Sequence, residues 1–171
     1  NSGTIRDAAG NNATITYSAV SANTSYKVDN TAPSVDNFTL SDTALKAGDT
    51  ATVTLRFSEA VASFASGDDI TVASGSGSLA NMTSTDNITW AGTFTPTANT
   101  EDDNNTLSLA TSYTDTAGNT GPASTTANYA VETLAPSVNS VAISSASGMQ
   151  NSLMNAGDNV SVTATFSESV I

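Results

Sequence analysis

Segments of this sequence occur twice, in the same order and at nearly constant spacing. The recurring segments are RDAAGN at 6–11 and TDTAGN at 114–119, APSV at 32–35 and 135–138, AGD at 47–49 and 156–158, and FSE at 57–59 and 166–168. The spacings are 103, 108 or 109 residues, whereas the repeat of a solenoid is about 20–50 residues long. They match a β-sandwich domain, which has about 100 residues.

The phase of the repeat divides the chain into three parts. It predicts that residues 1–29 are the end of one unit, that 30–132 are a complete unit and that 133–171 are the beginning of a third. The first residue is Asn1 rather than Met, and no charged-then-apolar signal segment follows it. We therefore interpret the chain as a window on a longer tandem array.

Within the predicted complete unit, short stretches alternate between apolar and polar residues, which is typical of half-buried strands. The clearest is Ala51–Phe57, and the seven predicted strands are 35–40, 51–57, 70–73, 78–83, 88–95, 106–111 and 124–131. Turn-forming runs such as Lys46–Asp49 and Asp102–Asn105 separate them, and at most one helical turn fits, within 59–67. The pattern predicts an antiparallel Greek-key β-sandwich, with Trp90 in the core or at its rim.

Charge and missing residue types exclude several functions. With 16 Asp and Glu against 4 Lys and Arg, the net charge of −12 would repel a phosphate backbone, so we expect no nucleic-acid partner. The chain has no His and no Cys, which excludes zinc fingers, thiolate nucleophiles and Ser-His-Asp triads. No apolar run approaches the ~18 residues that span a bilayer, so no membrane insertion is expected in this segment. Only a pair of carboxylates could still perform acid–base catalysis. The candidate carboxylates lie on polar loops rather than in an apolar pocket that would raise a pKa, so we expect no enzyme activity.

Five motifs follow one another in the order and spacing of a known domain family. They are NTAP at 30–33, AGD at 47–49, VTLRFSEAV at 53–61, FTP at 94–96 and DTAGN at 115–119. In this order they resemble the bacterial Ig-like repeats of large surface adhesins. The resemblance implies an all-β fold, an Ig-like antiparallel Greek-key β-sandwich in tandem repeats. It also implies an extracellular stalk, on the bacterial cell surface or secreted, whose partners are neighbouring repeats of the same chain and whose junctions are stiffened by calcium.

Oxygen-bearing side chains occur at three places that meet at one end of an Ig-type sandwich. The linker into the first strand carries Asp29 and Asn30, the loop after the second strand carries Glu59, and the loop between the last two strands carries Asp115 and Asn119. Calcium takes about 6–8 oxygen ligands, from carboxylates, amides, carbonyls and water. One interpretation is therefore a Ca²⁺ site at this leading end of the domain. The other is ordinary turn chemistry, in which Asp115 bonds to its own turn.

A second acidic cluster is predicted at the opposite end. The run Glu101, Asp102 and Asp103 points towards the following unit, where it could meet Glu132 of the outgoing linker and Glu168, the counterpart of Glu59. Adjacent carboxylates repel one another. Either a divalent cation or solvation of an exposed acidic loop relieves this repulsion.

The leading functional hypothesis is a stalk or spacer repeat of a bacterial adhesin. One alternative is a subunit of an extracellular filament or surface layer, in which lateral copies of the chain pack together. Another is a module that binds glycans or host surfaces, although only 6% of the residues are aromatic and no exposed aromatic pair is evident.

Overall fold

The computed structural model describes residues 4–14 and 25–171. By their internal contacts the residues form two compact units, Asn1–Asn30 and Thr31–Ile171. In the first unit, an antiparallel bridge between Arg6 and Asn12 closes a turn that contains Gly10. The predicted end of a preceding unit, residues 1–29, falls partly on residues 1–3 and 15–24, which lie outside the described residues.

The second unit is built almost entirely of strands. In chain order they are β1 (Val35–Leu40), β2 (Ala44–Lys46), β3 (Ala51–Phe57), β4 (Ile70–Val72), β5 (Gly77–Leu79), β6 (Thr89–Pro96), β7 (Glu101–Asn105), β8 (Leu107–Leu109), β9 (Ser124–Thr125), β10 (Tyr129–Glu132), β11 (Val138–Ser147) and β12 (Asn159–Phe166). One helical turn, α1 (Ser66–Asp69), precedes β4. The all-β fold class predicted from the sequence is confirmed.

Strand β3 shows how the alternating pattern produces a sheet with one buried face. The apolar residues at positions 51, 53, 55 and 57 are each at most 1% exposed, while Thr52 and Arg56 on the other face are exposed. β3 pairs antiparallel with β1 on one side and with β6 on the other. The period-two pattern therefore predicts both the bounds of β3 and its buried face.

The strands form four hydrogen-bonded groups. Their orders are β1-β3-β6-β5, β2-β10-β7, β4-β8-β9 and β11-β12. Because five of the eight strand pairs in the described residues are not neighbours along the chain, the chain crosses repeatedly between layers, as in a Greek-key sandwich. The predicted Ig-like β-sandwich is confirmed.

One pairing is parallel, whereas the sequence predicts antiparallel pairs. Strand β2 runs in the same direction as β10. The sequence predicts a turn that begins at Lys46, but Lys46 ends β2 and the turn follows it, closed by a 3.1 Å hydrogen bond from the Lys46 N–H to Asp49 Oδ2. A strand of three residues shows too little periodicity to be recognised from the sequence.

The acidic run Glu101–Asn105 is strand β7, although the sequence predicts a turn over most of it. It pairs antiparallel with β10, and Asn105 is buried at its end. The Asn105 amide donates to the carbonyl oxygens of Asp102 at 2.9 Å and Tyr129 at 3.2 Å. Asp and Asn are depleted in strands, so local propensity favours a turn here, but pairing with β10 overrides it.

The helical turn α1 lies slightly later than the predicted 59–67. It includes Asp69, which is only 3% exposed. Its Oδ2 accepts the N–H of Ala65 at 2.7 Å, and its Oδ1 accepts the hydroxyl of Ser112. Asp69 therefore closes the turn of α1 and joins it to the loop after β8.

The hydrophobic core lies within residues 38–131. Its fully buried members are large, and two ring pairs are central: Phe57 with Tyr113 at 4.8 Å between centroids, and Phe94 with Tyr129 at 5.1 Å. Trp90 is partly buried and packs its ring against the edge of this core. Its position at the rim agrees with the sequence-based prediction.

The hairpin β11–β12 repeats the pairing of β1 with β3. The matching pairs are Val35–Phe57 and Val138–Phe166, Phe38–Leu55 and Val141–Ala164, and Leu40–Val53 and Ile143–Val162, with a register shift after the first pair in both. In β3, Val53 is fully buried, whereas its counterpart Val162 is 64% exposed. The recurrence supports repeated units, and their number and bounds stay a prediction.

Candidate metal centre

The loop between β8 and β9 is a tight turn built around one carboxylate. Oδ1 of Asp115 accepts the N–H groups of Ala117 and Asn119, both at 2.8 Å, and Oδ2 accepts the side-chain amide of Asn119 at 2.7 Å. Gly118 has a φ of +95°, in the left-handed region that glycine adopts without steric cost. The turn fixes Asp115, which is only 2% exposed.

These hydrogen bonds keep Asp115 ionised. The side-chain amide of Asn119 is the largest cause that lowers the pKa of Asp115 below its ordinary value of 3.8, and backbone N–H groups add to it against the opposing effect of burial. Each donor stabilises the charged carboxylate more than the neutral acid. A cation binds the ionised form of a carboxylate, so the turn favours the form of Asp115 that can bind a cation.

The same turn occurs in the first unit around Asp7. Its Oδ1 accepts the N–H groups of Ala9 at 3.0 Å and Asn11 at 2.8 Å, and its Oδ2 accepts the Asn11 amide at 2.9 Å. Gly10 has a φ of +91°, close to that of Gly118. The hydrogen bonds of ordinary turn chemistry are therefore present at both positions.

Asp115 lies close to the carboxylate of Glu59, and both belong to the second unit. One oxygen of each carboxylate lies within 4.8 Å of the other. Glu59 is half-buried and Asp115 is buried. Asp29, the third acid that the sequence predicts at this end, is exposed and belongs to the first unit.

The spread of these oxygens suits a hard cation. Calcium binds oxygen at about 2.3–2.6 Å, so two ligands on opposite sides of one ion are about 5 Å apart. The carboxylates of Glu59 and Asp115 repel each other at such a separation when both are ionised, and a divalent cation would relieve that repulsion. The residue types also fit, since carboxylate and carbonyl oxygens are preferred by calcium, and thiolate or imidazole ligands are absent from the sequence.

Asn119 and Asn30 are the other two ligands that the sequence predicts at this end. The Asn119 amide nitrogen donates to the carbonyl oxygen of Thr31 at 3.2 Å as well as to Asp115, so this side chain positions its neighbours through its donor group. Asn30 is exposed. The backbone carbonyl of Thr31 has no signal in the sequence, because every residue carries one.

The second predicted cluster is distributed over two strands, β7 and β10, and the segment that follows β12. Glu132 lies opposite Glu101 of β7 on one side and opposite Lys46 of β2 on the other. A base is therefore adjacent to these acids, which the sequence does not indicate. Asp102 accepts the N–H of Asn104 at 3.0 Å within its own strand.

Glu168 lines one cavity together with Glu132 and Lys46. Asp103 is exposed on β7, and its backbone carbonyl accepts the Asn128 amide at 2.7 Å. A metal role for Glu101, Asp102, Asp103, Glu132 and Glu168 stays a prediction.

A pair of serines holds the first strand to the end of the third. The N–H of Ser34 donates to the Ser58 hydroxyl and the N–H of Ser58 donates to the Ser34 carbonyl, both at 2.9 Å. Ser137 and Ser167 make the same two bonds, also at 2.9 Å. We call this arrangement the serine clasp. The sequence indicates this clasp only through the repeated Phe-Ser-Glu triplet, which contains Ser58 and Ser167. Because Ser58 directly precedes Glu59, the clasp also holds the start of the loop that carries Glu59.

The comparisons with known proteins support the fold. The sequence profile of the family described as "Bacterial Ig-like domain" matches residues 29–131. Neither the curated proteins nor the solved structures yield a match. None of the helical residues in the described part of the chain forms a segment long and apolar enough to cross a membrane. The match covers more than half of the chain and contains the whole hydrophobic core, so this protein belongs to the bacterial Ig-like domain family.

Proposed function

We propose that this chain is a spacer segment of a bacterial cell-surface or secreted adhesin, extended by tandem Ig-like repeats and stiffened by calcium where one repeat meets the next. The observation that carries the proposal is the pair of Glu59 and Asp115, whose carboxylate oxygens lie within 4.8 Å of each other on two different loops of the domain. Asp29, in the segment that leads into β1, is the third ligand that we propose for this acidic group. A cation bound to all three would restrain that segment.

The chemistry of the group favours binding over catalysis. A general acid at neutral pH needs a carboxyl whose pKa is raised by an apolar pocket. The pKa of Asp115 is lowered instead, chiefly by its hydrogen bond from Asn119. Domains of this family are also generally structural modules rather than enzymes.

The net charge supports a counter-ion role. A chain that carries −12 repels itself and its neighbours, which favours an extended and soluble array. Calcium at the acidic group would neutralise part of this charge where it is most concentrated. Pro33 and Pro136 restrict the backbone before β1 and β11 without any ion, so part of the stiffness is independent of calcium.

The glycan-binding alternative gains little from the cavity beside Trp90. Phe64, Met82 and Trp90 line it together with Asp68 and Asn81. The Trp90 ring is partly buried and meets Phe64 edge-on at 4.9 Å between centroids. It therefore does not present the exposed pair of aromatic faces expected of a sugar-binding surface.

Calcium titration of the whole chain by calorimetry tests the proposal. At calcium concentrations near 100 times Kd, binding to the folded state adds about 2.7 kcal/mol, which corresponds to a rise in Tm of about 5–10 °C. Glu59→Gln should abolish this rise, and Asp68→Asn, an exposed acid outside the group, should preserve it. A calcium-independent Tm in the unsubstituted chain would overturn the proposed metal site.

A further inference from the structure

The cavity beside Trp90 combines buried apolar residues with exposed polar ones. Of its lining residues, Phe64 and Met82 are buried and Trp90 is partly buried, whereas Asp68 and Asn81 are exposed. The cavity has a volume of about 290 Å³, close to the lower limit of about 300 Å³ for small-molecule sites. A cavity of this size suits one side chain of a partner better than a chain of sugar rings.

Hydrogen bonds join the walls of this cavity to one another. The N–H of Met82 donates to the hydroxyl oxygen of Ser66 at 2.9 Å, which connects the segment after β5 to α1. The next residue, Thr83, forms an antiparallel bridge with Ala91, the neighbour of Trp90 on β6. The folded domain therefore organises the cavity before a ligand arrives, which lowers the entropy cost of binding.

Trp90 offers a ligand its ring rather than its N–H group. The indole nitrogen is buried and makes no hydrogen bond to the described residues. Because this donor is shielded, a sugar hydroxyl or an anion in the cavity gains no hydrogen bond from it. Aromatic faces attract cations through the ring quadrupole, and the indole does so most strongly. The rings of Trp90 and Phe64 therefore favour a positively charged group.

Asp68 gives the cavity a negative charge that no lining residue balances. It lies exposed on α1, and none of the residues that line the cavity is basic. The amide oxygen of Asn81 is a second acceptor for a cationic donor. The chain as a whole carries −12, and a field of this sign attracts cationic partners and repels anionic ones.

We infer that this cavity binds an arginine side chain on the surface of a partner protein. The apolar stem of the arginine lies against Met82 and Phe64, its guanidinium stacks on the Trp90 ring, and its N–H groups donate to Asp68. Arginine fits better than lysine, because a guanidinium is flat and directs several donors, whereas an ammonium is compact and strongly hydrated. The site uses neither calcium nor the acidic group, so it adds a binding activity to the proposed spacer and can fail separately from it.

The chain contains one tryptophan, so its fluorescence reports directly on this cavity. The full chain is titrated, in the presence of a chelator, with N-acetyl-arginine-methylamide. The comparison ligands are the corresponding citrulline derivative, which has nearly the same shape without the charge, and the lysine derivative. We expect saturable binding of the arginine derivative. The citrulline derivative should bind about tenfold more weakly, since it loses the attraction to both the ring and the carboxylate, and the lysine derivative should lie between the two.

Two variants test the residues of the site. Asp68→Asn should weaken arginine binding about two- to fivefold, the range for one exposed ion pair. Asp103→Asn, at an exposed acid of β7, is the matched control, because it removes the same charge away from the cavity and should leave the affinity unchanged. Gly67→Leu should abolish binding by filling the cavity. A Cβ at Gly67 would have only Asn81 Oδ1 within 4 Å, at 3.9 Å, so the fold tolerates a larger side chain there, which thermal melting checks.

A fluorescence response that does not saturate, or that is equal for the arginine and citrulline derivatives, would overturn the arginine site. Equal affinity for the lysine derivative would contradict recognition of a planar guanidinium and overturn it as well. If Asp68→Asn and Asp103→Asn weaken binding equally, net charge rather than this cavity attracts the ligand, and the site is wrong. A calcium-independent Tm with intact arginine binding would remove the proposed metal site and leave the arginine site standing.

Discussion

The phenolic hydroxyl of Tyr113 donates a hydrogen bond to the carbonyl oxygen of Pro122, 2.8 Å away. The ring is fully buried against Phe57. This bond ties the loop between β8 and β9 to the core at a second point, in addition to the turn around Asp115. The carboxylate that this loop presents is therefore positioned by the core of the domain as well as by its own turn.

Removing the Tyr113 hydroxyl should destabilise the domain. Tyr113→Phe retains the ring and removes the donor to the Pro122 carbonyl, at a cost of about 0.5–1.5 kcal/mol in the free energy of unfolding. Urea unfolding measures this loss of stability. Tyr26→Phe is the control, because Tyr26 is 83% exposed. Equal stability of the two variants would show that the bond contributes nothing.

The same hydroxyl makes the domain sensitive to alkaline pH. Burial, with a smaller contribution from nearby Asp69, raises the pKa of Tyr113 from 10.0 to about 12. Because the folded-state pKa is the higher one, the stabilisation is complete below pH 10 and is lost as the pH rises towards 12. Urea midpoints from pH 9 to 12, with tyrosinate absorbance, would show this fall, and Tyr113→Phe should make it shallower.

Gly121 leaves room for the Tyr113 ring. A Cβ at this position would overlap ring atoms of Tyr113. Gly121→Ala should therefore cost about 1–3 kcal/mol through overpacking. Gly67→Ala is the matched control, because the nearest atom to its Cβ would be Asn81 Oδ1 at 3.9 Å. Melting temperatures that fall equally in the two variants would contradict the steric argument.

The turn around Asp115 should make stability depend on acid pH. Its pKa is lowered, so the stabilisation is present above pH 3.8 and is lost as the pH falls through the folded-state value. Asn119→Ala removes the largest cause and should move the titration of Asp115 to higher pH, as measured by carboxyl-carbon NMR. Asn11→Ala is the internal control, since it removes the equivalent bond to Asp7 and should leave Asp115 unchanged.

Calcium should protect the segment that leads into β1 from proteolysis. We expect a chelator to lower Tm and to make cleavage within 28–33 and 131–136 faster, because the acidic group would then repel itself. Glu59→Gln should be cut at the chelated rate whether or not calcium is present. If neither the chelator nor the substitution changes the cleavage rate, calcium does not stiffen this segment.

The fold was most predictable where one strand carries a long alternation. β1 and β3 have the bounds that the pattern predicts, because each buries one face and exposes the other. The predicted strand 124–131 is divided into β9 and β10, which belong to different sheets. The sequence does not predict β2 and β7, because these segments become strands by pairing with β10 rather than through their own residue pattern.

The candidate site was predictable to a smaller extent. Asp115 and Asn119 are indicated by a repeated motif, and their approach to Glu59 follows only from the Ig-type topology. Nothing in the sequence around Asp69 indicates burial, yet this residue is only 3% exposed and accepts hydrogen bonds from Ala65 and Ser112. Such partners are set by tertiary packing, which one-dimensional patterns do not encode.

The two serines of each serine clasp are close to each other in the sequence. Ser34 and Ser58 are 24 residues apart, and Ser137 and Ser167 are 30 residues apart. Each clasp is completed by residues of its own segment. Recombination that inserts or deletes one whole segment would therefore leave the remaining clasps closed.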